Sequence, residues 1–404
     1  MAWELATFPA ELLQVDAQRI EALAAAEPAL EGVGVDVAGP GEPVRITHVL
    51  DAVEPRIRPD RRPAFPTHGR AGLGRTNRLA GVAVVPCVDF PGEERPLHEQ
   101  EGVIDLAGPG AEVTPFGSMT NVVLTFRPVP EAGHAAIHDA VRKVTLAVAE
   151  LLAEPTLEAE PAEVERFELR PPVEGLPRIA ALVQLSDLGQ LDIQYVYGAP
   201  AGRAGLPRAV DPAELLDGAL TCGEYHWASM RNPTMFSQQN ALVRALYDGH
   251  GKRLNFVGVV LMRGYEQTAA DKQRAAEDAA RRAVELGADG AIVTTDAGGN
   301  SHTDVMLTVR ACEQAGVRTA VIVTEQNDPS STEPALVDWV PEADCIVSAG
   351  NSLELVPSWA PERVLGGDTL LSGRPARDSG PIPVQDYLGA TNQMGQLDLA
   401  ARTW

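Results

Sequence analysis

The chain has 404 residues, of which 45% are hydrophobic and 22% charged, a composition typical of a globular protein with two or three domains. Its formal net charge of -23 argues against a nucleic-acid partner, because neutralising phosphates requires clustered Lys and Arg. No apolar run approaches the roughly 18 residues that span a bilayer, and no basic segment precedes an apolar one at the N-terminus. We therefore expect a cytoplasmic protein without a membrane partner.

The first half of the chain mixes strand and helix patterns. Short apolar runs predict strands within 42–60, 81–90, 119–129, 178–186 and 190–198. A helix is predicted at 131–154, where apolar residues recur at helical spacing from Ile137 to Leu151. We expect residues 1–215 to form a mixed α+β N-terminal domain.

Strands alternate with helices in the second half, which gives the chain its predicted α/β class. Apolar runs predict strands at 253–262, 290–296, 318–326 and 343–351, with helices at 268–287 and 303–316. This alternation predicts βαβ units and hence a parallel sheet that is covered on both faces. We assign residues 216–370 to this parallel α/β domain. Residues 371–404 are rich in Pro and Gly, and we expect this tail to dock on a neighbouring subunit.

Polar segments follow these strands, and ligands of parallel sheets bind at the carboxyl ends of the strands. The candidate substrate-binding residues there are Asp296, Gly298, Gly299, Asn300, His302, Thr324 and Glu325. The two glycines would let the backbone approach a ligand closely, and the helix N-terminus after them would favour an anion. The same loop could equally be a strand-to-helix turn with no ligand. His302 and Asp304 alone do not make a metal site, so no metal is predicted.

The second candidate region surrounds Cys222. The four cysteines lie far apart without a CxxC pair, so neither a disulfide framework nor a zinc site is indicated. Glu224, Tyr225 and His226 supply an acid, a phenol and an imidazole next to Cys222, and all four are candidate catalytic residues. On a strand, residues 222, 224 and 226 would share one face. The alternative is that Cys222 is a small buried residue.

Segments from both halves of the chain carry a family resemblance. They are GRTNRLAGVAVV (74–85), GPGAEVTPF (108–116), DGAL (217–220), NPTMFSQQNALVRALYDGHGKRLNFVGVVL (232–261), DKQRAAEDAARRAVELGADGAIVTTDAGGN (271–300) and PEADCIVSAGN (341–351). In that order they resemble component B of the glycine, sarcosine and betaine reductases, in particular its alpha/beta proprotein subunit. The D-proline reductase proprotein is related to that subunit.

The resemblance implies a function, a cofactor and a partner. In that family the proprotein cleaves itself before a cysteine, which becomes an N-terminal pyruvoyl group. The reaction implied is reductive C–N cleavage, or a related C–S-forming step, on a small amine or amino acid. We therefore expect an oxidoreductase in a hetero-oligomeric complex with a subunit that carries a reactive thiol or selenol. The cofactor expected on this basis is a pyruvoyl group derived from Cys222.

The chain departs from the family at the processed bond, which is an Asn-Cys bond shortly after the DGA segment. An ungapped count places that bond at Glu224–Tyr225, and no Asn-Cys occurs in this sequence. Either the nearby Thr221–Cys222 bond is processed, or the chain is an unprocessed homologue. Such a homologue would bind a small molecule or scaffold the thiol-bearing subunit, with Glu224, Tyr225 and His226 as acid, base or binding groups.

Two other chemistries are disfavoured by the sequence. A lysine Schiff base would have to use Lys143, Lys252 or Lys272, and none of these follows the carboxyl end of a predicted strand. Lys272 is expected on a helix surface. A nucleotide-binding oxidoreductase would require a GxGxxG motif after a strand, and none occurs.

Overall fold

The computed structural model of the protein describes residues 2–88, 102–187, 193–223, 232–296, 298–327, 335–370, 372–391, 393–394 and 400–401. These residues form several sheets and helices, so the chain is a mixed α/β protein. Within this part of the chain, no helix has the length and apolar character needed to cross a membrane.

The helices of the described residues are α1 (Ala17–Ala25), α2 (His134–Ala153), α3 (Pro212–Glu214), α4 (Thr234–Gln238), α5 (Ala241–Gly249), α6 (Ala269–Glu285) and α7 (Asn300–Gln314). The strands are β1 (Trp3–Phe8), β2 (Leu30–Ala38), β3 (Val44–Val49), β4 (Arg56–Ile57), β5 (Gly74–Leu79), β6 (Val82–Val88), β7 (Gly102–Asp105), β8 (Thr120–Pro128), β9 (Glu163–Phe167), β10 (Arg178–Leu185), β11 (Gln194–Val196), β12 (Ala199–Pro200), β13 (Arg208–Val210), β14 (Leu220–Cys222), β15 (Asn255–Arg263), β16 (Gly290–Thr294), β17 (Arg318–Glu325), β18 (Ile346–Asn351), β19 (Leu355–Val356), β20 (Arg363–Leu365), β21 (Ile382–Pro383) and β22 (Ala400–Ala401).

A seven-stranded sheet organises the second half of the chain, with the strand order β13-β15-β10-β16-β17-β18-β22. The five central strands run parallel, and the two edge strands are antiparallel to their neighbours. Numbered by their position in the chain, the parallel strands have the order 2-1-3-4-5 of a doubly wound sheet. Its first strand, β10, comes from the segment assigned by sequence to the N-terminal domain. The domain boundaries at 215 and 370 stay predictions.

Helices α6 and α7 cover one face of this sheet. Alanines of α6, including Ala276 and Ala283, and apolar residues of α7, including Val305 and Val309, pack in one cluster with strand residues such as Val293. The neighbouring residues along the strands belong to the larger core on the opposite face. Burial on both faces explains why these strands are continuous apolar runs rather than alternating ones.

The first half is built around two further sheets. One has the order β2-β8-β6-β3-β20, with β7 paired to β3, and the other has the order β4-β5-β1-β9. The predicted helix at 131–154 is α2, and it buries an apolar stripe that includes Ile137, Val144 and Val148. The strands of these two sheets and helix α2 share one core with β15 of the seven-stranded sheet.

The described part of the C-terminal tail packs on its own chain. The Tyr387 hydroxyl donates a hydrogen bond to Asp105 Oδ2 at 3.0 Å, and the carbonyl of Met394 accepts one from the backbone N–H of Leu242 at 3.0 Å. Both Tyr387 and Met394 are buried. The docking of the tail on a neighbouring subunit stays a prediction.

Candidate functional site

The candidate site lies at the carboxyl ends of β10 and β16. These adjacent strands are the point where the strand order reverses, because β15 lies on one side of β10 while β16, β17 and β18 lie on the other. In doubly wound sheets the crevice at this reversal binds the ligand. The sequence-predicted loop after β16 therefore leaves the sheet at its most favourable position for a site.

Asp296 is fixed at this position by three residues from two segments of the chain. Its backbone N–H donates to Gln184 Oε1 at 3.0 Å, and its carbonyl accepts from the Ser186 hydroxyl at 3.2 Å. Its carboxylate oxygen Oδ1 accepts from both the backbone N–H and the side-chain amide of Asn232, at 2.9 and 2.7 Å. Asp296 is fully buried, so the carboxylate is held in one orientation and shielded from bulk water.

Asn232 is a site residue that the sequence analysis did not select. Its side chain is 1% exposed, and its Oδ1 accepts no hydrogen bond from the described residues. The contact of Nδ2 with a carboxylate fixes the orientation of the amide, so Oδ1 is a buried acceptor beside Asp296 that no described residue uses. Asn232 opens one of the family-like segments, and Gln184 and Ser186 are polar residues at the end of an apolar strand. These two features of the sequence could have indicated that the residues belong to the site.

The two glycines of the predicted substrate loop, Gly298 and Gly299, both contact the side chain of Gln326. A Cβ on Gly298 would lie 1.7 Å from Gln326 Nε2, and its carbonyl accepts a hydrogen bond from the Tyr265 hydroxyl at 2.8 Å. Gly299 has a φ of +63° and donates its N–H to Gln326 Oε1 at 3.2 Å. Asn300 begins helix α7 directly after this loop. Close packing against Gln326 explains Gly298, and the positive φ explains Gly299, so neither glycine requires a ligand.

His302 lies in the first turn of α7 and is fully buried. Neither ring nitrogen has a hydrogen-bond partner among the described residues. Burial lowers the pKa of His302 to about 4, although the charge of Asp338 opposes that shift. The imidazole is therefore neutral at pH 7. Leaving buried polar atoms unpaired costs about 1–3 kcal/mol per group, which marks His302 as a costly residue to keep.

The expected surface position of Lys272 is wrong. Lys272 is buried, and its Nζ lies 2.7 Å from Asp304 Oδ1, between α6 and α7. Asp304 Oδ2 also accepts the backbone N–H of Tyr265 at 2.7 Å. Burial raises the pKa of Asp304, while its contacts with Lys272 lower it. Since Tyr265 also binds Gly298, this ion pair ties the end of β15 to the predicted site loop.

Thr324 and Glu325 lie at the end of β17, as predicted, but both contact other parts of the chain. Thr324 Oγ1 accepts a hydrogen bond from Gln393 Nε2 of the tail at 2.9 Å. Glu325 Oε1 accepts one from the Ser348 hydroxyl at 2.5 Å. Thr324 is fully buried, and the tail lies against it. The tail is therefore part of the wall at this end of the sheet.

Cys222 is the last residue of β14 and is buried. Its thiol donates to the carbonyl of Ile193 at 3.3 Å, and its backbone N–H donates to Thr234 Oγ1 at 2.7 Å. It pairs with Gln194, whose Oε1 accepts the backbone N–H of Ser186 at 2.9 Å. Gln194 thus links the Cys222 strand to the carboxyl end of β10. Glu224, Tyr225 and His226 lie outside the described residues.

The DGAL segment fixes the start of β14. Asp217 is buried and accepts hydrogen bonds from the Thr76 hydroxyl at 2.6 Å, the Gly72 N–H at 2.7 Å and Arg58 Nη2 at 2.9 Å. Burial raises the pKa of Asp217, and the positive charge of Arg58 opposes this. Gly218 has a φ of +81°, and a Cβ there would lie 2.3 Å from the carbonyl oxygen of Ala64. Only glycine fits this turn without a shift of the backbone.

Comparisons with known proteins decide the family. The family model for glycine/sarcosine/betaine reductase component B subunits matches residues 4–395. The chain belongs to this family. It is 33% identical to the sarcosine reductase complex component B subunit alpha of Peptoclostridium acidaminophilum, over 98% of this chain and 91% of the relative. It is 30% identical to the glycine reductase complex component B subunits alpha and beta of Acetoanaerobium sticklandii, over 97% of this chain and 94% of the relative. No solved structure matches the chain significantly.

Several buried polar residues of this component B family member lie at one edge of the sheet. The structure brings Asp296, the glycine loop, His302 and the end of β17 to that edge, and joins Cys222 to it through Gln194. No group of three or more His, Cys, Asp or Glu suited to a metal occurs in the described ranges. The chemistry available there is hydrogen bonding, acid–base chemistry and a buried thiol.

Proposed function

We propose that this component B family member is a subunit of a reductase complex that acts on a small amine or amino acid. The reaction would be reductive C–N cleavage or a related C–S-forming step. One observation carries the proposal: a fully buried carboxylate, Asp296, lies at the strand-order reversal beside Asn232 Oδ1, an acceptor that no described residue uses. The names of the relatives, which are sarcosine and glycine reductase complex components, support the same function.

The acceptors at this position favour a cationic or hydrogen-bond-donating substrate group. A carboxylate and an amide oxygen both accept hydrogen bonds, and an ammonium group donates up to three. Burial strengthens such a contact because little water screens it. Asp296 and Asn232 would therefore bind the amino group, while Gln184 and Ser186 keep the carboxylate in place.

We also propose Cys222 as the residue that would become the pyruvoyl group. The residues around it fit this role, because the nitrogen of the Thr221–Cys222 bond contacts a hydroxyl, Thr234 Oγ1, at 2.7 Å. Breaking that bond requires a proton donor at this nitrogen. When formed, a pyruvoyl group would supply an electrophilic carbonyl to a substrate amine. Gln194 would hold that end of β14 beside the carboxyl end of β10.

A second candidate function is an unprocessed homologue that binds a small molecule or scaffolds a thiol-bearing subunit. It is favoured by the regular pairing of Thr221 and Cys222 with Tyr195 and Gln194, since this peptide lies in an antiparallel ladder. Intact mass measured before and after borohydride treatment separates the candidates. Two fragments split before Cys222, the C-terminal one gaining mass with borohydride, support processing. A single unaltered species of full-chain mass overturns it and leaves the unprocessed homologue.

We propose that the partner is a subunit carrying a reactive thiol or selenol and that it docks beside the carboxyl edge of the sheet. Trp339 and Leu355 are 57% and 61% exposed. Their segments join the end of β17, through the bonds of Gln326 N–H to the Ala335 carbonyl and of Ser352 N–H to the Glu325 carbonyl. Tryptophan is among the residues enriched at protein–protein interfaces. The free state of all four cysteines suits a reducing, cytoplasmic location.

The docking proposal is tested by measuring complex formation with the co-purified thiol-bearing subunit. Trp339→Ser is expected to weaken the complex by about tenfold or more, because buried tryptophans dominate many interfaces. Val284→Ser is the control, since Val284 is also exposed but lies near the far end of α6. Equal effects of both substitutions would contradict the proposed surface.

A further inference from the structure

The bond between Thr221 and Cys222 is contacted by a buried hydroxyl. Thr234 Oγ1 lies 2.7 Å from the nitrogen of this bond, and Thr234 is the first residue of α4. Cys222 itself pairs with β11 through its strand, so its N–H is directed away from that strand and toward Thr234. A hydroxyl is thus in hydrogen-bond contact with the reacting nitrogen of the proposed processing step.

Asp51 holds that hydroxyl from the other side. Asp51 Oδ2 accepts the Thr234 hydroxyl at 2.6 Å, and Asp51 Oδ1 accepts the backbone N–H groups of Thr234 and Ala52, both at 2.8 Å. Asp51 and Thr234 are both buried. Because the Thr234 hydroxyl donates its hydrogen bond to the Asp51 carboxylate, its oxygen presents a lone pair to the Cys222 N–H. The order Asp51, Thr234, Cys222 nitrogen is therefore a continuous hydrogen-bonded chain.

We propose that Thr234 is a catalytic residue of self-processing at Thr221–Cys222 and that Asp51 is its positioning residue. The inference rests on the proposed conversion of Cys222. Thr234 contacts the reacting nitrogen directly, whereas Asp51 acts through the Thr234 hydroxyl.

The step assigned to Thr234 is the transfer of the peptide from nitrogen to sulfur. The Cys222 Sγ loses its proton and bonds to the carbonyl carbon of Thr221, and the C–N bond then breaks. Once the tetrahedral state gives the nitrogen a lone pair, the Thr234 hydroxyl turns its hydrogen from Asp51 to this nitrogen and donates the proton. The proton released by the thiol then replaces it on the hydroxyl. The products are a Thr221 thioester on Sγ and a free α-amine on Cys222. One proton moves from sulfur to nitrogen, and nothing is oxidised or reduced.

The size of the expected effect follows from the role. A positioned acid or base typically contributes about 10²–10⁴-fold to a rate, and amide nitrogen is a poor leaving group without a proton. Removing the hydroxyl should therefore slow processing by at least about 100-fold. Removing only the charge of Asp51 leaves the hydroxyl in place, so a smaller loss, about tenfold, is expected there.

The test measures the fraction of the full chain split before Cys222, by intact mass, at a series of times after synthesis. Thr234→Val removes the hydroxyl at nearly constant shape, and Thr234→Ser retains it. Asp51→Asn tests the positioning residue. Thr145→Val is the matched control, because Thr145 is also buried and its hydroxyl donates to a backbone carbonyl, that of Val141, within α2. Circular dichroism on each variant confirms the fold.

The inference predicts slow cleavage in Thr234→Val, recovery to within about tenfold in Thr234→Ser, and normal cleavage in Thr145→Val. In a folded protein, rescue by serine assigns the loss in Thr234→Val to the hydroxyl rather than to the shape of the side chain. If Thr234→Val is cleaved at a rate within about threefold of that of the chain without substitutions, the inference is overturned while the proposed processing stands. If the chain without substitutions is not cleaved, the processing itself is overturned, and with it the role of Thr234.

Discussion

The buried ion pair between Lys272 and Asp304 gives the sharpest prediction about stability. The two side chains are 10% and 6% exposed, and their closest nitrogen and oxygen atoms lie 2.7 Å apart. Lys272→Met keeps the length of the side chain but leaves the carboxylate without its cation. Removing one partner of a buried pair costs about 3–5 kcal/mol. Asp304 keeps the N–H of Tyr265, so we expect a loss near the lower limit, about 3 kcal/mol.

Hydrogen exchange is the appropriate assay, because it reports the local free energy of opening rather than one global transition. Peptides covering 255–285 should lose protection in Lys272→Met, and adding Asp304→Asn should restore about half of the loss by removing the unpaired charge. Lys143→Met is the control, since the Lys143–Asp139 pair is also helical but 52% and 41% exposed. It should cost about 0.5 kcal/mol or less. Equal losses in Lys272→Met and Lys143→Met would refute the reasoning.

Three further predictions concern the site. Gly298→Ala places a Cβ 1.7 Å from Gln326 Nε2, so the Gln326 side chain must move, and we expect substrate affinity measured by calorimetry to fall about tenfold. Burial lowers the pKa of His302 from 6.5 to about 4, so the stability due to its neutral form is present above pH 6.5 and is lost as the pH falls toward 4. Between pH 7 and pH 4.5, the unfolding free energy of His302→Phe should therefore fall by about 2 kcal/mol less than that of the chain without substitutions. Asp217→Asn should lower the unfolding free energy, measured by urea denaturation, by about 3 kcal/mol, because it leaves Arg58 buried without its anion.

Two of these predictions have a control in the same chain. Gly299→Ala meets no atom within 4 Å and should leave Gln326 in place, although its φ of +63° makes it strained. Asp60→Asn removes an exposed ion pair with Arg62 and should change stability by about 0.5 kcal/mol or less. Identical pH profiles for the unchanged chain and His302→Phe would contradict the buried neutral imidazole.

Local patterns were sufficient to predict most of the parallel sheet. Helix α6 begins after Thr268, whose hydroxyl accepts the N–H of Asp271, and Gly287 follows its end with a φ of +68°. The neighbouring strands are β-branched runs that are buried on both faces. Because helices and strands alternate, the edge at which Asp296 would lie followed from the topology rules alone.

Long-range pairing could not be predicted in the same way. Strand β10 inserts between β15 and β16, and nothing in the period of residues 178–185 indicates neighbours that lie far along the chain. Lys272 was expected on a helix surface, yet it reaches Asp304 on the next helix. Thr324 lies at the predicted strand end, but no local pattern indicates that Gln393 of the aperiodic tail contacts it. These contacts depend on tertiary packing, which a single sequence does not encode locally.

The most direct test of the proposed function is amine release by the purified chain together with its thiol- or selenol-bearing subunit and a dithiol reductant. Glycine, sarcosine and betaine would yield ammonia, methylamine and trimethylamine if their C–N bonds were cleaved. We predict release from at least one small amine or amino acid, with kcat/KM lowered about 100-fold in Asp296→Asn, equivalent to about 3 kcal/mol. A complex that forms but releases no amine from any of them, or an Asp296→Asn variant of unchanged activity, would contradict the account.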